Sequence, residues 1–175
     1  MSTLYTVGYE GTDIERFVST LKAVGVGILA DVRAVAVSRK KGFSKNGLRE
    51  RLEAEGITYV HFVELGDPKL GREAARAGKI EVFKNVYSTH LSTPEAIGAL
   101  EVLYETAIQD TVCLMCFERD PLNCHRNLIA DRMSARGLDR FHLYGDDPGR
   151  YVRHSKKIPS GHRDKGDAQP QPEAW

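Results

Sequence analysis

Short apolar runs alternate along the chain with segments in which apolar residues recur every three or four positions. Leu4-Tyr5-Thr6-Val7 reads as a first strand that ends at the turn Gly8-Tyr9-Glu10-Gly11. Thr12 and Glu15 stand at capping-box spacing, and Ile14, Phe17, Val18 and Leu21 follow at helical spacing until Gly25. Residues 26–30 are nearly continuous in apolar side chains, as a strand covered on both faces should be. A helix over 46–55 stops at Gly56, and a third strand over 57–62 ends near Glu64-Leu65-Gly66-Asp67. Residues 69–92 read as one or two short helices, and Thr93 caps a longer one with Pro94 at its first position. Residues 112–118 form a fourth strand. Asp120-Pro121 opens a helix that runs to about Arg136, and Phe141-His142-Leu143-Tyr144 is a fifth strand.

Strands alternating with helices predict a mainly parallel sheet of about five strands with right-handed crossovers. The expected organisation is a single α/β domain over residues 1–150, with a polar, Pro-rich tail over 151–175 that should be disordered. In such sheets ligands bind beyond the carboxyl ends of the strands. Tyr9 and Glu10, Asp31 and Arg33, Glu64, and Cys116 and Glu118 each follow a different strand, so parallel pairing brings them to one edge.

Composition narrows the picture. At 175 residues, 41% hydrophobic and 28% charged, the chain has enough material for one core. Its 25 Lys and Arg against 24 Asp and Glu leave a formal charge of +1, so any basic site must be local. No apolar run is long enough to span a bilayer, and the first residues lack a signal-peptide pattern. Cys113, Cys116 and Cys124 lie within twelve residues, and their odd number argues against a disulfide scaffold. The expectation is a protein of the reducing cytoplasm with no membrane partner.

Candidate chemistry concentrates after the fourth strand. Cys116 and Glu118 are two apart and share a face. Cys124-His125-Arg126 falls in the first turn of the next helix, whose N-terminal end favours anions and lowers the pKa of a nearby thiol. Cys116 is therefore a candidate nucleophile with His125 as its base, and Glu118 a candidate acid or base. The competing reading makes Cys113 and Cys116 core residues, faces Cys124 inward beside Leu128, and pairs Glu118 with Arg126 or Arg33. The nine residues between Cys116 and Arg126 do not fit a phosphatase loop. Cys116, Glu118, Cys124 and His125 are also ligand types for zinc or iron. Yet adjacent Cys124 and His125 would point apart on a helix. The expectation is no metal and no cofactor, with a divalent ion as the minor alternative.

Asp31 and Arg33 form either an ordering salt bridge or, through Arg33, a two-pronged grip on a carboxylate or phosphate. The segment Ser38-Arg39-Lys40-Lys41-Gly42-Phe43-Ser44-Lys45 is either a solvated surface or a phosphate-tracking loop with Phe43 available for base stacking. Tyr9 and Glu10 lie between two glycines that would let a ligand approach the backbone.

The turn Gly8-Tyr9-Glu10-Gly11, Asp31-Val32-Arg33, Ser38-Arg39, Gly42-Phe43, Leu65-Gly66 and Cys116-Phe117-Glu118 with Cys124-His125-Arg126 resemble the domain of unknown function 488 family of bacteria and archaea. The likeness spans about residues 4 to 145. It departs at Ala36, where related sequences usually have a proline before the Ser-Arg pair. The resemblance implies a Rossmann-like α/β fold and no established activity.

Three functions are compatible with these residues. The leading one is an enzyme, a hydrolase or transferase, acting on a phosphate-bearing small molecule or nucleic acid. Arg33, Arg39, Lys41 and Arg126 would bind anionic groups there, with Tyr9, Ser38 and Phe43 completing the substrate site. Cys116, Glu118 and His125 would do the chemistry, with Asp31 and Glu10 orienting. The second is a non-catalytic nucleotide or nucleic-acid binding module. The third is a thiol-based sulfur-transfer or redox protein. The sequence does not speak to oligomeric state.

Overall fold

The computed structural model describes residues 2–155. Five strands, β1 (Thr3–Gly8), β2 (Ile28–Asp31), β3 (Thr58–His61), β4 (Val112–Cys116) and β5 (Asp139–Tyr144), form one sheet in the order β3-β2-β4-β1-β5. Every pairing is parallel. Helices α1 (Ile14–Ala23), α2 (Lys45–Glu53), α3 (Lys69–Arg76), α4 (Ile80–Leu91), α5 (Pro94–Gln109), α6 (His125–Ser134) and α7 (Pro148–Ser155) flank it. The expected single α/β domain with a five-stranded, Rossmann-like parallel sheet is what the chain forms.

The period-two alternation of each strand divides the interior into two cores. Along β4, Val112, Leu114 and Cys116 face one core, built with Ala74 of α3, Phe83 and Tyr87 of α4, Leu100 and Leu103 of α5, and Ile129 and Met133 of α6. Cys113 and Met115 face the other, with Phe17 and Leu21 of α1, Leu48 and Leu52 of α2, and Tyr151 of α7. Cys113 is a core residue, fully buried, and burial pushes its thiol pKa up. Burying a side chain of Leu, Phe or Met size contributes about 1.5–3 kcal/mol relative to exposure, so both layers hold the sheet.

Three local expectations are corrected. Asp13, not Thr12, caps α1, its carboxylate accepting from the Arg16 N–H, while Thr12 donates to the Gly145 carbonyl at 2.6 Å. Asp120 and Pro121 open only a 3-10 turn, Pro121–Asn123, and α6 begins afresh at His125 with Cys124 as its N-cap. Residues 151–155, assigned from sequence to the tail, belong to α7, where the Tyr151 hydroxyl accepts from the Tyr144 N–H at 2.7 Å. The rest of the expected tail lies outside the described residues. Among the described residues, no helix is long and apolar enough to cross a membrane.

Candidate functional site

Parallel pairing carries the ends of β1, β2, β3 and β4 to one edge, with Gly8 opposite Cys116 and Asp31 opposite both Met115 and His61. Alternation then separates the candidate residues, because Asp31 and Cys116 project from opposite faces of the sheet. The residues expected together at one edge form two clusters there, on opposite faces of the sheet.

The first cluster centres on Asp31 and Arg33, both buried. Arg33 donates through Nη2 to Asp31 Oδ2 at 2.7 Å and through Nε to Asp31 Oδ1 at 2.9 Å. Tyr59 donates its hydroxyl hydrogen to Asp31 Oδ2 at 2.5 Å. Arg33 Nη1 donates to the Phe43 carbonyl at 2.7 Å and to the Tyr9 hydroxyl at 3.3 Å. The Tyr9 and Phe43 rings stack at 4.6 Å, both buried. Burial opposes the charge of Arg33, but hydrogen bonds to Asp31 outweigh it and raise the guanidinium pKa. This is the ordering salt bridge, not the anion grip. Arg33, Tyr9 and Phe43 are occupied with one another, and Phe43 offers no face for a base.

The loop that Arg33 anchors is closed by serines. Ser44 Oγ donates to the Ser38 carbonyl and accepts from the Ser38 N–H, at 3.1 and 3.0 Å. Ser38 thus serves the loop itself, while Arg39 and Lys41 are exposed on it.

A second correction concerns Arg126, expected to bind anions. It is fully buried and donates to the backbone carbonyls of Glu118 and Arg119, at 2.5 and 3.1 Å, and to Thr6 Oγ1 at 3.2 Å. Burial lowers its pKa to about 10. Arg126 is a brace that folds residues 118–119 over the end of β1. That fold requires Gly8, where a Cβ would lie 1.8 Å from the Glu118 carbonyl oxygen. Glu10 serves the same brace, its Oε1 accepting from the Arg119 N–H at 3.0 Å.

The second cluster lies on the other face. Cys116 and Cys124, both buried, are paired as a disulfide, against the expectation of a free Cys116 thiolate activated by His125. The two cysteines meet because Cys124 is the N-cap, with extended backbone at φ −133 and ψ 144. Its side chain is not bound by helical geometry, so Cys124 and His125 converge where two residues inside a helix would diverge. His125 Nε2 lies 2.6 Å from the Val32 carbonyl, which can only accept, so Nε2 carries the proton. Nδ1 lies 3.9 Å from each sulfur. Burial lowers the His125 pKa to about 4, so the ring is neutral at pH 7. Glu118 Oε2 lies 2.8 Å from Cys116 Sγ, and burial raises the Glu118 pKa. The carboxyl of Glu118 pairs with neither Arg33 nor Arg126, which hydrogen-bond elsewhere.

A cleft of about 250 Å³ opens beside this cluster, lined by Asp67, Arg72, Arg76, Glu118, Cys124 and His125. Asp67 is buried, and its Oδ1 has no hydrogen-bond partner among the described residues. Burial raises its pKa to about 6, with the Arg72 charge opposing and Glu118 adding to the rise. Arg72 donates to the Asp67 carbonyl, and Arg76 is exposed one turn further along α3. Sequence reasoning missed Asp67, Arg72 and Arg76 as site residues. Two signals were present: the Gly66-Asp67 pair after β3, and an Arg pair at i, i+4, which shares one side of a helix.

A family profile described as Domain of unknown function DUF488 matches residues 13–133. The chain belongs to this family. The DUF488 match takes in both clusters' central residues, from Asp31 and Arg33 to Asp67, Glu118 and Cys124-His125-Arg126, and leaves Gly8-Tyr9-Glu10 outside. No curated protein and no solved structure matches the chain. The DUF488 description assigns no activity, so function rests on the cleft's chemistry.

Proposed function

We propose that this DUF488 chain is an enzyme, a hydrolase or transferase, that takes a phosphate-bearing substrate of nucleotide or nucleic-acid type into the cleft between α3 and the β4–α6 connection. The observation that carries this reading is a pair of carboxyl groups, Asp67 and Glu118, both held above the usual carboxylate range at a cleft that two arginines rim. A carboxyl group with pKa near 6 exchanges protons at neutral pH, which is what general acid–base catalysis needs. Arg72 and Arg76 take the anion-binding role first expected of Arg33 and Arg126. Glu118 and Asp67 divide the acid and base roles, and Arg126, Glu10 and Asp31 act as positioning residues.

The test is calorimetric binding of nucleoside monophosphates and short oligonucleotides at low salt. Arg76→Ala should weaken binding about tenfold or more, since loss of a charge-assisted hydrogen bond removes roughly 1.5–3 kcal/mol. Glu118→Gln should keep binding and lose turnover. Absence of binding by the unaltered chain would sink the reading.

A second reading, thiol–disulfide exchange, is favoured by the Cys116–Cys124 pairing. An external dithiol would pass two electrons and two protons to the pair and leave as its own disulfide. Cys116→Ser, at the half of the pair outside the cleft lining, separates the two readings: it abolishes exchange and leaves nucleotide binding intact.

A further inference from the structure

We infer that the reduced form of the second cluster is a metal site, with Cys116, Cys124 and His125 as three ligands to one zinc-class divalent ion. The donor atoms of these buried residues lie within 4.8 Å of one another, and they are a group that chain topology alone brings together. Cys116 ends β4, Cys124 caps α6, and His125 is the first residue of that helix.

The histidine carries most of the argument. Its Nε2–H is anchored on the Val32 carbonyl at 2.6 Å, which leaves the Nδ1 lone pair aimed at both sulfurs, 3.9 Å from each. A metal-ligating histidine is held in this manner: one nitrogen on a backbone carbonyl that sets the tautomer and ring direction, the other on the ion. A disulfide makes no use of an imidazole lone pair. Ligands at about 2.0–2.3 Å around a tetrahedral ion stand roughly 3.5–3.8 Å apart. The two nitrogen–sulfur distances need only small adjustments to meet that.

The donor chemistry selects the ion. Two thiolates and one imidazole suit zinc and do not suit calcium or magnesium, which take oxygen ligands. Three protein ligands leave a fourth position. Cys124 and His125 line the cleft, and Glu118 Oε2 stands 2.8 Å from Cys116 Sγ, so that position faces the cleft beside a carboxyl group. Three ligands plus an open position is the catalytic type of zinc site, as distinct from the closed four-ligand structural type. The inference goes beyond the proposed substrate and holds whether or not that substrate carries phosphate.

Disulfide and metal are alternative states of the same two sulfurs. Reduction by an external dithiol breaks the S–S bond, adds two electrons and two protons, and releases the reagent as its own disulfide. Metal entry then displaces the two thiol protons and forms two metal–sulfur bonds and one metal–nitrogen bond. Oxidation of the metal-bound thiolates by a disulfide reagent would reverse both steps and release the ion.

The experiment uses the full chain, reduced with a phosphine under anaerobic conditions and titrated with Co²⁺ as a spectroscopic probe. The expected result is saturation at one ion per chain, with near-ultraviolet sulfur-to-cobalt charge-transfer bands and visible bands of four-coordinate cobalt. Zn²⁺ should bleach them by displacement. Cys124→Ser should lower the charge-transfer intensity and weaken binding by more than about 100-fold, beyond the roughly 10–100-fold that an outer-shell partner costs. His125→Ala should weaken binding while retaining the sulfur bands. Cys113→Ala, which removes the core thiol, should leave the spectrum unchanged. As a measurement independent of variant folding, Zn²⁺ should slow alkylation of Cys116 and Cys124 in the reduced unaltered chain. No cobalt spectrum from that chain, or a spectrum unchanged in Cys124→Ser, would overturn the site. Nucleotide binding is read separately, so failure of either inference leaves the other standing.

Discussion

The Asp31–Arg33 cluster and the Cys116–Glu118 cluster start from the same kind of signal, two functional residues spaced two apart at the end of a parallel strand. They end as opposites. In the first, every strong group finds a partner: Asp31 accepts from Arg33 and Tyr59, and Arg33 reaches across to Phe43 and Tyr9. In the second, the arginine that could neutralise Glu118 donates instead to backbone carbonyls, and Asp67 Oδ1 has no hydrogen-bond partner among the described residues. One cluster is a closed ion pair that anchors a loop. The other holds two carboxyl groups with raised pKa beside a cleft. Proximity to a strand end marks where a site can form. Which cluster is a site depends on whether its charges are already satisfied.

The sharpest way to break this contrast is Asp31→Ala. Removing one partner leaves Arg33 as a buried, uncompensated charge, which costs about 3–5 kcal/mol. Urea unfolding should show that loss at neutral pH. A change under about 1 kcal/mol would mean the pair is not a brace.

Asp67→Asn should act in the other direction. The folded Asp67 pKa is about 6, above its ordinary 3.8, so the folded state holds this proton more tightly than the unfolded chain. Its favourable contribution is complete below about pH 3.8 and is lost as pH rises through 6. At pH 7 the variant should be more stable by about 1–2 kcal/mol, once solvent screening at the cleft is allowed for. The unaltered chain minus the variant should show stability falling between about pH 4 and 6. A destabilised variant would mean that ionised Asp67 is satisfied after all.

The histidines shape the acid side of the same curve. Burial lowers the pKa of His125 to about 4 and of His142 to about 3, from an ordinary 6.5. Their contribution is present above 6.5 and is lost as pH falls toward 4 and 3. Thermal melts from pH 7 to 4 should show this acid limb in both the unaltered chain and Asp67→Asn.

The smallest effect belongs to the loop. Arg39→Ala with Lys41→Ala should change stability by less than about 0.5 kcal/mol, since both side chains are exposed. If the substrate is a polynucleotide that crosses the loop, the double variant should lower the salt dependence of binding, because two phosphate contacts fewer release fewer counterions. An unchanged slope would restrict the substrate to the cleft side.

Much of this protein was legible in its sequence, and for identifiable reasons. Apolar rhythm distinguished strands from helices, since a buried parallel strand and an amphipathic helix bury residues at different periods. Thr93-Pro94 marked the start of α5 because its capping chemistry is local. Strand ends named the right edge, because parallel pairing leaves no other place for residues such as Asp31 and Cys116. The pairing of functional groups was not legible. Whether Arg126 meets a carboxylate or a carbonyl depends on Gly8 letting residue 118 cross β1. The meeting of Cys124 with Cys116 depends on α6 starting four residues later than Asp120-Pro121 suggests. Asp67 and Arg76 reach Glu118 only because α3 packs over that edge. Local propensity is written in neighbouring residues, whereas charge satisfaction is set by groups that only folding brings within hydrogen-bond distance.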